Sequence, residues 1–331
     1  MRKRDMQEPN NRRASRRILW LGIGVLVAIG LYTAGWFWLA NKIESETLPA
    51  LATLEKQGIK VECTNPVARG YPFRIGLYCD RVTAEQPEAA VTVSAGAFRS
   101  AGQIYDPFRI VAELDAPATV STAAADPLTL DWKRLRASVR LAQPLPERIS
   151  LEGWGLKASR QDGAHLVSAS SFEGHMRPNG ADLDLATRFE GLAIDPALVE
   201  GRKLPPLAGE ADLSLKDGVQ FLGKGADDLR GRSGQLREVT LRLGEKGALK
   251  LSGPFSVDQD GLIDADLQVA VTDPLELASS LAEVFPEQAD KIRQGFAGLA
   301  FLGSSPKVPL RIAKGTATLG FIPLGTLPPL M

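Results

Sequence analysis

"IDADLQVAV", residues 263–271, alternates Ile263, Ala265, Leu267, Val269 and Val271 with Asp264, Asp266, Gln268 and Ala270. A period of two puts every second side chain on one face of an extended chain, so the stretch predicts a half-buried strand. "ADLSLKDG" (211–218), "VTLRLGEKGALKLSG" (239–253) and "PFRIVAELDAPATV" (107–120) behave likewise. Strands with one wet face pair in antiparallel sheets. In "RISLEGWGLKAS" (148–159) the phase slips around Gly153 and Gly155, which predicts a bulge. The 32 glycines and 22 prolines are spread along the chain rather than pooled in a linker, as punctuation between many short strands. The expected fold is mainly β with a few helices. Its antiparallel body is either a curved sheet or a sandwich, because alternation is the same in both.

Two helical regions stand out from this pattern. "DPLELASSLAEVF" (273–285) opens with Asp273 at the N-cap, Pro274 at the first helical position and Glu276 at the third. Pro286 then opens a second segment in which Ala289, Ile292, Phe296 and Leu299 share one face, so a helical hairpin is predicted near 273–302. "NKIESETLPALATLEKQG" (41–58) is amphipathic and either continues or abuts whatever precedes it, with Pro49 as a kink or restart. Segments 171–197 and 251–275 run alike, each with an early Phe, a Gly turn, an Ala-Asp-Leu strand and Asp-Pro before a helix. They suggest a β-unit used twice, giving the body two similar halves.

What precedes residue 41 sets the compartment. "ILWLGIGVLVAIGLYTAGWFWLA" (18–40) is free of charge, and about 20 apolar residues at a rise of 1.5 Å suffice to cross a hydrocarbon core. The run is longer than the apolar core of a cleaved signal peptide, and Trp36-Phe37-Trp38 is bulky where a peptidase needs small residues. Trp20 at one end, with Trp36 and Trp38 at the other, suits indoles at two membrane interfaces. Arg12, Arg13, Arg16 and Arg17 precede the span, so the positive-inside rule keeps the N-terminus in the cytoplasm and exports the rest. Gly24 with Ala28 and Gly30 with Ala34 give spacings that let two spans pack closely. The three asparagines beyond residue 40 all lack a hydroxyl two places on, so no glycosylation acceptor is present, which favours a bacterial periplasm. The expected organisation is a cytoplasmic tail (1–17), a signal anchor (18–40), a juxtamembrane helix (41–58) and a periplasmic β-rich domain (59–331), single-pass in the inner membrane.

In an oxidising compartment the only two cysteines, Cys63 and Cys79, are expected to pair. They end the runs "IKVEC" (59–63) and "FRIGLYC" (73–79), and the turn-rich "TNPVARGYP" between them predicts that the two runs fold back as a hairpin. Closing such a loop stabilises by about 3 kcal/mol on the chain-entropy argument. A spacing of sixteen is not a redox C-x-x-C, and a structural zinc would need four ligands. Tyr71-Pro72 is a turn in which a cis bond is allowed.

The charge-free anchor, "LEKQGIKVEC", "ARGYPFRIGLYC" and the C-terminal "GTATLGFIPLGTLPPL" (315–330) together resemble bacterial domain-of-unknown-function family 2125, over nearly the whole chain. The resemblance implies an inner-membrane-anchored periplasmic protein whose motif, Gly70, Tyr71, Pro72, Phe73 and Arg74, is structural. It supplies no catalytic residues. More loosely, the alternating body is similar to AsmA-like and LptC-like envelope proteins, which handle lipids.

The remaining chemistry is sparse. With 39 basic and 39 acidic residues and a mean hydropathy of −0.06, the chain carries no nucleic-acid footprint. It has no G-x-S-x-G, H-E-x-x-H or Walker loop, and "GKGADD" (223–228) breaks the dinucleotide pattern at its last glycine. His165 and His175 flank Ser170 and Ser171, but a strand and turn with incidental polar groups explains them. Asp264 and Asp266, two apart on a wet face, bind a cation only if other ligands converge. The expectation is no enzyme, no metal and no cofactor. Arg134, Arg136 and Arg140 share an alternate face that suits either anionic lipid head groups or plain solvent. Two functions stay open: a membrane-tethered module that binds or transfers lipid, and a non-catalytic envelope scaffold that binds proteins.

Overall fold

The computed structural model describes residues 11–56, 58–123, 125–143, 145–222, 229–244, 246–301 and 303–330. The first ten residues of the basic tail and the run 223–228 lie outside the described residues. The chain is mainly β, 52% strand and 24% helix.

The predicted span and the juxtamembrane helix are one element. α1 (Asn11–Glu55) runs for 45 residues with Pro49 inside it. Proline lacks an N–H and crowds the preceding turn, yet here it neither ends nor restarts the helix. Residues 16–47 are long and apolar enough to cross a membrane. Every residue from Ile18 to Leu31 is exposed, as expected of a helix with no protein around it.

The sheet is a meander in which the first five strands are each broken once. β1 (Lys60–Thr64) continues into β2 (Val67–Arg69), β3 (Arg74–Cys79) into β4 (Arg81–Gln86), and β5 (Val91–Ala95) into β6 (Phe98–Gln103). β7 (Asp106–Leu114) continues into β8 (Ala118–Thr122), and β9 (Leu128–Asp131) into β10 (Arg134–Arg140). One register spans the first break: Thr64 faces Arg81 and Val67 faces Tyr78, so Asn65 stands opposite Asp80. The next break, at Gly96 and Ala97, lies beside Asp80, and Asp115 beside Ala97. Lys133 and Gly155 complete the line, where β11 (Arg148–Arg160) pairs first with β10 and then with β9 without a change of register. The breaks therefore form a corner that crosses the sheet. Asn65 and Gly155 turn the chain there with φ of 52° and 61°. Hydrogen bonds continue through it, Asp115 N–H donating to Ala97 O at 2.8 Å and Lys133 N–H to Trp154 O at 2.9 Å. Ala95, Ala118 and Trp132 are buried on its inner side, with Leu114, Leu130, Leu135 and Leu156 packed around them.

Four expectations change as a result. The cysteine-bearing runs do not pair with each other: β1 pairs with β4, and β3 with β2. The turn narrows to Gly70–Phe73, because Asn65 and Pro66 bend a strand instead of ending it. Gly155 marks the corner and not a bulge; the register of β11 slips later, between Ala158 and Ser159. The 107–120 stretch likewise breaks at Asp115 instead of running through.

Beyond the corner the strands are long. β12 (His165–Asn179), β13 (Asp182–Ile194), β14 (Leu207–Leu215), β15 (Ser233–Leu243), β16 (Gly247–Val257) and β17 (Ile263–Thr272) each pair antiparallel with the strand before. β18 (Lys307–Ala313), β19 (Thr316–Leu319) and β20 (Ile322–Thr326) finish the sheet. All twenty segments belong to one sheet, and among the described residues no pairing joins β20 back to β1 or β2, so it is open.

The helical hairpin is present as α3 (Pro274–Val284) and α4 (Ala289–Ala300), after a short helix α2 (Gly218–Leu222). Asp273 caps α3 by accepting from the Glu276 N–H at 3.2 Å. Leu277 of α3 is fully buried against Leu243, Val269 and Val271, with Leu281, Phe296 and Leu299 beside it. Of the two similar segments, 251–275 ends at this helix. The other ends in a single 3-10 turn, Pro196–Leu198, capped by Asp195. One continuous sheet runs through both.

Candidate functional site

The "GYPFR" motif joins α1 to the sheet. Gly70 has φ of 120°, and a Cβ there would lie 2.8 Å from the Arg74 carbonyl oxygen, so the turn requires glycine. The Tyr71–Pro72 bond is cis. The Tyr32 hydroxyl donates to the Pro72 carbonyl, Thr33 Oγ1 and the Tyr71 hydroxyl share a hydrogen bond of 2.9 Å, and Trp36 Nε1 donates to the Arg74 carbonyl at 2.9 Å. The Tyr71 ring packs edge-on against Trp36 at 5.5 Å and stacks on Phe37 at 6.0 Å. About two turns further on, Glu44 accepts from the Ala68 N–H at 2.7 Å, while Trp36 and Ala40 bury Ala68 with Ile43, Ile75 and Ile104 around them. The sequence showed the motif as a turn but not its partner. The clustered aromatics of residues 36–38 and 71–73 were the available signal.

Cys63 and Cys79 form a disulfide with their Cα atoms 5.3 Å apart. It bridges β1 and β3 beside the corner, and Asn65 Nδ2 donates to Asp80 at 2.8 Å within the same bend. The bridge fixes the bent hairpin that carries the motif.

The two faces of the sheet differ in character. One face carries apolar ladders across many strands. A single ladder reads Phe98, Leu114, Leu135, Gly153, Phe172, Phe189, Gly209, Leu241, Leu249 and Val271, each opposite the next. α1 packs on β1–β3 at one end and α3 on β16 at the other. Between them side chains such as Phe172, Leu185 and Phe189 are only half-buried, and Leu151 is 38% exposed. Among the described residues the large side chains that are wholly buried are Leu183, Leu277 and Val284. α2 covers Leu183 on β13, and the rest of the middle of the apolar face lacks the cover that its ends have.

The opposite face is charged and paired. Asp184 is buried, and its carboxylate takes Arg177 at 3.1 Å and Arg237 at 2.9 Å, while Arg237 also holds Asp212. Burial pushes the Asp184 carboxyl up, but hydrogen bonds from Arg237, Ser214 and Arg177 outweigh it and hold the group below the usual carboxylate range. Glu210 is also held low, chiefly by its hydrogen bond from Arg188, and Arg242 joins Glu190 to it.

The remaining predicted groups fall on this wet face. Both histidines hydrogen-bond through Nδ1 to a cross-strand serine, His165 to Ser159 at 3.0 Å and His175 to Ser150 at 2.9 Å, and all four groups are exposed. Ten residues of β12 separate the histidines, so they do not converge, and neither bonds Ser170 or Ser171. Among the described residues no three His, Cys, Asp or Glu side chains are placed to hold a metal. Asp264 accepts from the Lys314 N–H, closing a turn. Of the three predicted lipid-contact arginines, Arg134 lies over the Trp154 ring at 5.9 Å and Arg140 pairs with Glu147 at 3.1 Å. Arg136 enters a cleft of about 430 Å³ together with Arg74, Arg99 and Arg109. That convergence was invisible in the sequence, because it depends on the register of four strands.

A family model described as "uncharacterized protein conserved in bacteria (DUF2125)" matches residues 36–328, and the chain belongs to that family. The match begins at Trp36, the residue that holds the motif's carbonyl. Neither a curated protein nor a solved structure matches the chain.

Proposed function

We propose that the protein is a membrane-anchored, non-catalytic holder of lipid acyl chains in the bacterial envelope. In this reading α1 crosses the inner membrane with its N-terminus in the cytoplasm, and the sheet stands in the periplasm. The carrying observation is the apolar face: ladders that run across ten strands are covered by helices at their ends and left half-exposed between. An exposed apolar surface of this extent has a use or is a liability, and each methylene buried on it contributes about 0.8 kcal/mol. The face begins at Ile75 and Ile104, beside the point where α1 leaves its apolar stretch, so an acyl chain reaches it from the bilayer without crossing open water. The looser resemblance to AsmA-like and LptC-like envelope proteins belongs to this proposal and agrees with it.

Photo-crosslinking tests it on the full chain in living cells. A photoreactive residue at Leu151 or Phe172 should yield lipid adducts by mass spectrometry, and one at Glu152 on the opposite face should not. Adducts to protein alone at Leu151 would replace the lipid reading with the scaffold reading, in which the same face binds an envelope protein.

A further inference from the structure

Three hairpin tips meet at the end of the sheet that touches α1. The Gly70–Phe73 turn and the tip around Tyr105 are adjacent, Ile104 N–H donating to Phe73 O at 3.1 Å. Leu141, which opens the third tip, donates its N–H to Phe108 O at 2.8 Å. These tips present Phe73 (70% exposed), Tyr105 (77%) and Phe108 (63%) to solvent, with Tyr71 and Leu141 beside them. Aromatic side chains seldom stand this bare on a soluble surface in a group.

Their depth is fixed by the anchor. The turn binds Tyr32, Thr33 and Trp36, all inside the charge-free run that ends at Ala40. Tyr32 lies eight residues before that end, about 12 Å along the helix at 1.5 Å per residue. If α1 spans a bilayer, the tips must enter the interface of the leaflet from which it emerges, where Trp and Tyr are enriched.

Directly above the tips, on the charged face, lies a row of like charges. Arg109 stands opposite Arg140, and Arg140 opposite Arg148. Like charges facing each other across strands are destabilising. Arg140 is met by Glu147, but neither Arg109 nor Arg148 has a carboxylate within ion-pair distance among the described residues. Arg74, opposite Gln103 at the tip end, lines one cleft with Arg109, Arg99 and Arg136, and Asp106 and Glu113 are its acids. The next row, Val111, Ser138 and Ser150, is uncharged, and two rows from the arginines the charges balance, with Arg136 facing Glu113 on one side and Glu152 on the other. The excess of positive charge is thus confined to the level of a lipid head group.

We propose that this end of the sheet docks on the membrane, with the aromatic tips in the interface and the phosphates of anionic phospholipids seated among Arg74, Arg109, Arg140 and Arg148. The inference rests on α1 being the anchor but not on the acyl-chain reading, since it uses the other face of the sheet. Docking would hold the body in one orientation over the bilayer, where a lone helix would leave it free to swing.

The test uses the full chain in nanodiscs of phosphatidylcholine with one-third phosphatidylglycerol. Tyr105→Cys carries an environment-sensitive fluorophore, Asp162→Cys at the far end of β11 serves as control, and nitroxide-labelled lipid is the quencher. Quenching at 105 and none at 162 is expected. Replacing Arg109, Arg140 and Arg148 by Gln should lower the docking equilibrium about fivefold per arginine, while the Lys versions, which keep charge and fold, should retain it. An unquenched label at 105 overturns the proposal. So does quenching that is equal in pure phosphatidylcholine and indifferent to the three Gln changes, because the phosphates would then play no part. Release by millimolar inorganic phosphate would reassign the row to a free anion.

Discussion

Leu151→Ala and Leu277→Ala remove the same atoms from two sites that the fold treats differently. Losing about three methylene equivalents at roughly 0.8 kcal/mol each forfeits about 2.4 kcal/mol of transfer energy at full burial. Leu277 is wholly buried beneath Leu243, Val269 and Val271, so that amount is lost in full and a cavity is left behind. The expected cost is about 4 kcal/mol, within the usual range for such core truncations. Leu151 is 38% exposed on the uncovered middle of the apolar face, so about three-fifths of the transfer energy is at stake. No cavity forms at a site that opens outward, and the expected cost is about 1.5 kcal/mol or less. Urea denaturation of the full chain in nanodiscs, with a common m value, converts midpoint shifts into these differences. A gap of about 2 kcal/mol or more is expected. Equal penalties would refute the reasoning, because they would mean that the face closes on itself as a conventional core and leaves no room for an acyl chain.

Other perturbations address the framework. Replacing Cys63 and Cys79 by Ser reopens a loop of separation 16, with an expected cost of about 3 kcal/mol; hydrogen exchange across residues 60–86 should show the protection loss concentrated at the bent hairpin, and an unchanged exchange pattern would contradict a stapling role. Asp184→Asn removes the charge on which Arg177 and Arg237 converge and should cost about 2 kcal/mol, toward the low end for charged hydrogen bonds because both arginines can rehydrate. The folded-state pKa of Asp184 is depressed, so the stability it contributes is present above the ordinary carboxylate value near 4 and is lost as pH falls through the folded value. The wild-type and Asn proteins should therefore converge in melting temperature in strong acid, and a gap that persists at low pH would show that the loss is steric.

Much of the fold was legible because its signals are local. Alternation at 263–271 and 239–253 reports strands directly, since each side chain's face depends only on its neighbours along the chain. Asp273, Pro274 and Glu276 marked the start of α3 for the same reason. The corner was not legible. Asn65, Asp80, Asp115, Lys133 and Gly155 share no motif, and they line up only once six strands are in register. The slip seen at Gly153 and Gly155 was a true signal read as a bulge, because a residue with positive φ looks the same in sequence whether it adds to the ladder or turns it. The arginine row had the same fate. Arg140 was visible as a member of an alternate face, but its neighbours Arg109 and Arg148 lie on other strands. Pro49 misled in the opposite direction, since proline's tendency to break a helix is local and α1 continues through it to Glu55.

Both functional readings depend on the joint between α1 and the "GYPFR" turn. A helix linked to a sheet by flexible chain would place neither face at a defined height. Here Tyr32, Thr33, Trp36 and Glu44 bond to the first hairpin over three helical turns, so the height of every row of the sheet is set by the register of β2 and β3. Ile75 starts an apolar ladder and Arg74, one residue before it, points to the other face by the period of two. In the proposed orientation the same joint would bring the apolar face to the acyl level on one side and the arginines to the phosphate level on the other. The disulfide and the corner act one step further out, fixing the upper half of each early strand relative to the half held against the helix. A membrane protein that only needed tethering would require the span and a linker. The bonded joint, the stapled hairpin and the bend in register instead hold one orientation, which is what the two proposed lipid contacts on opposite faces would require.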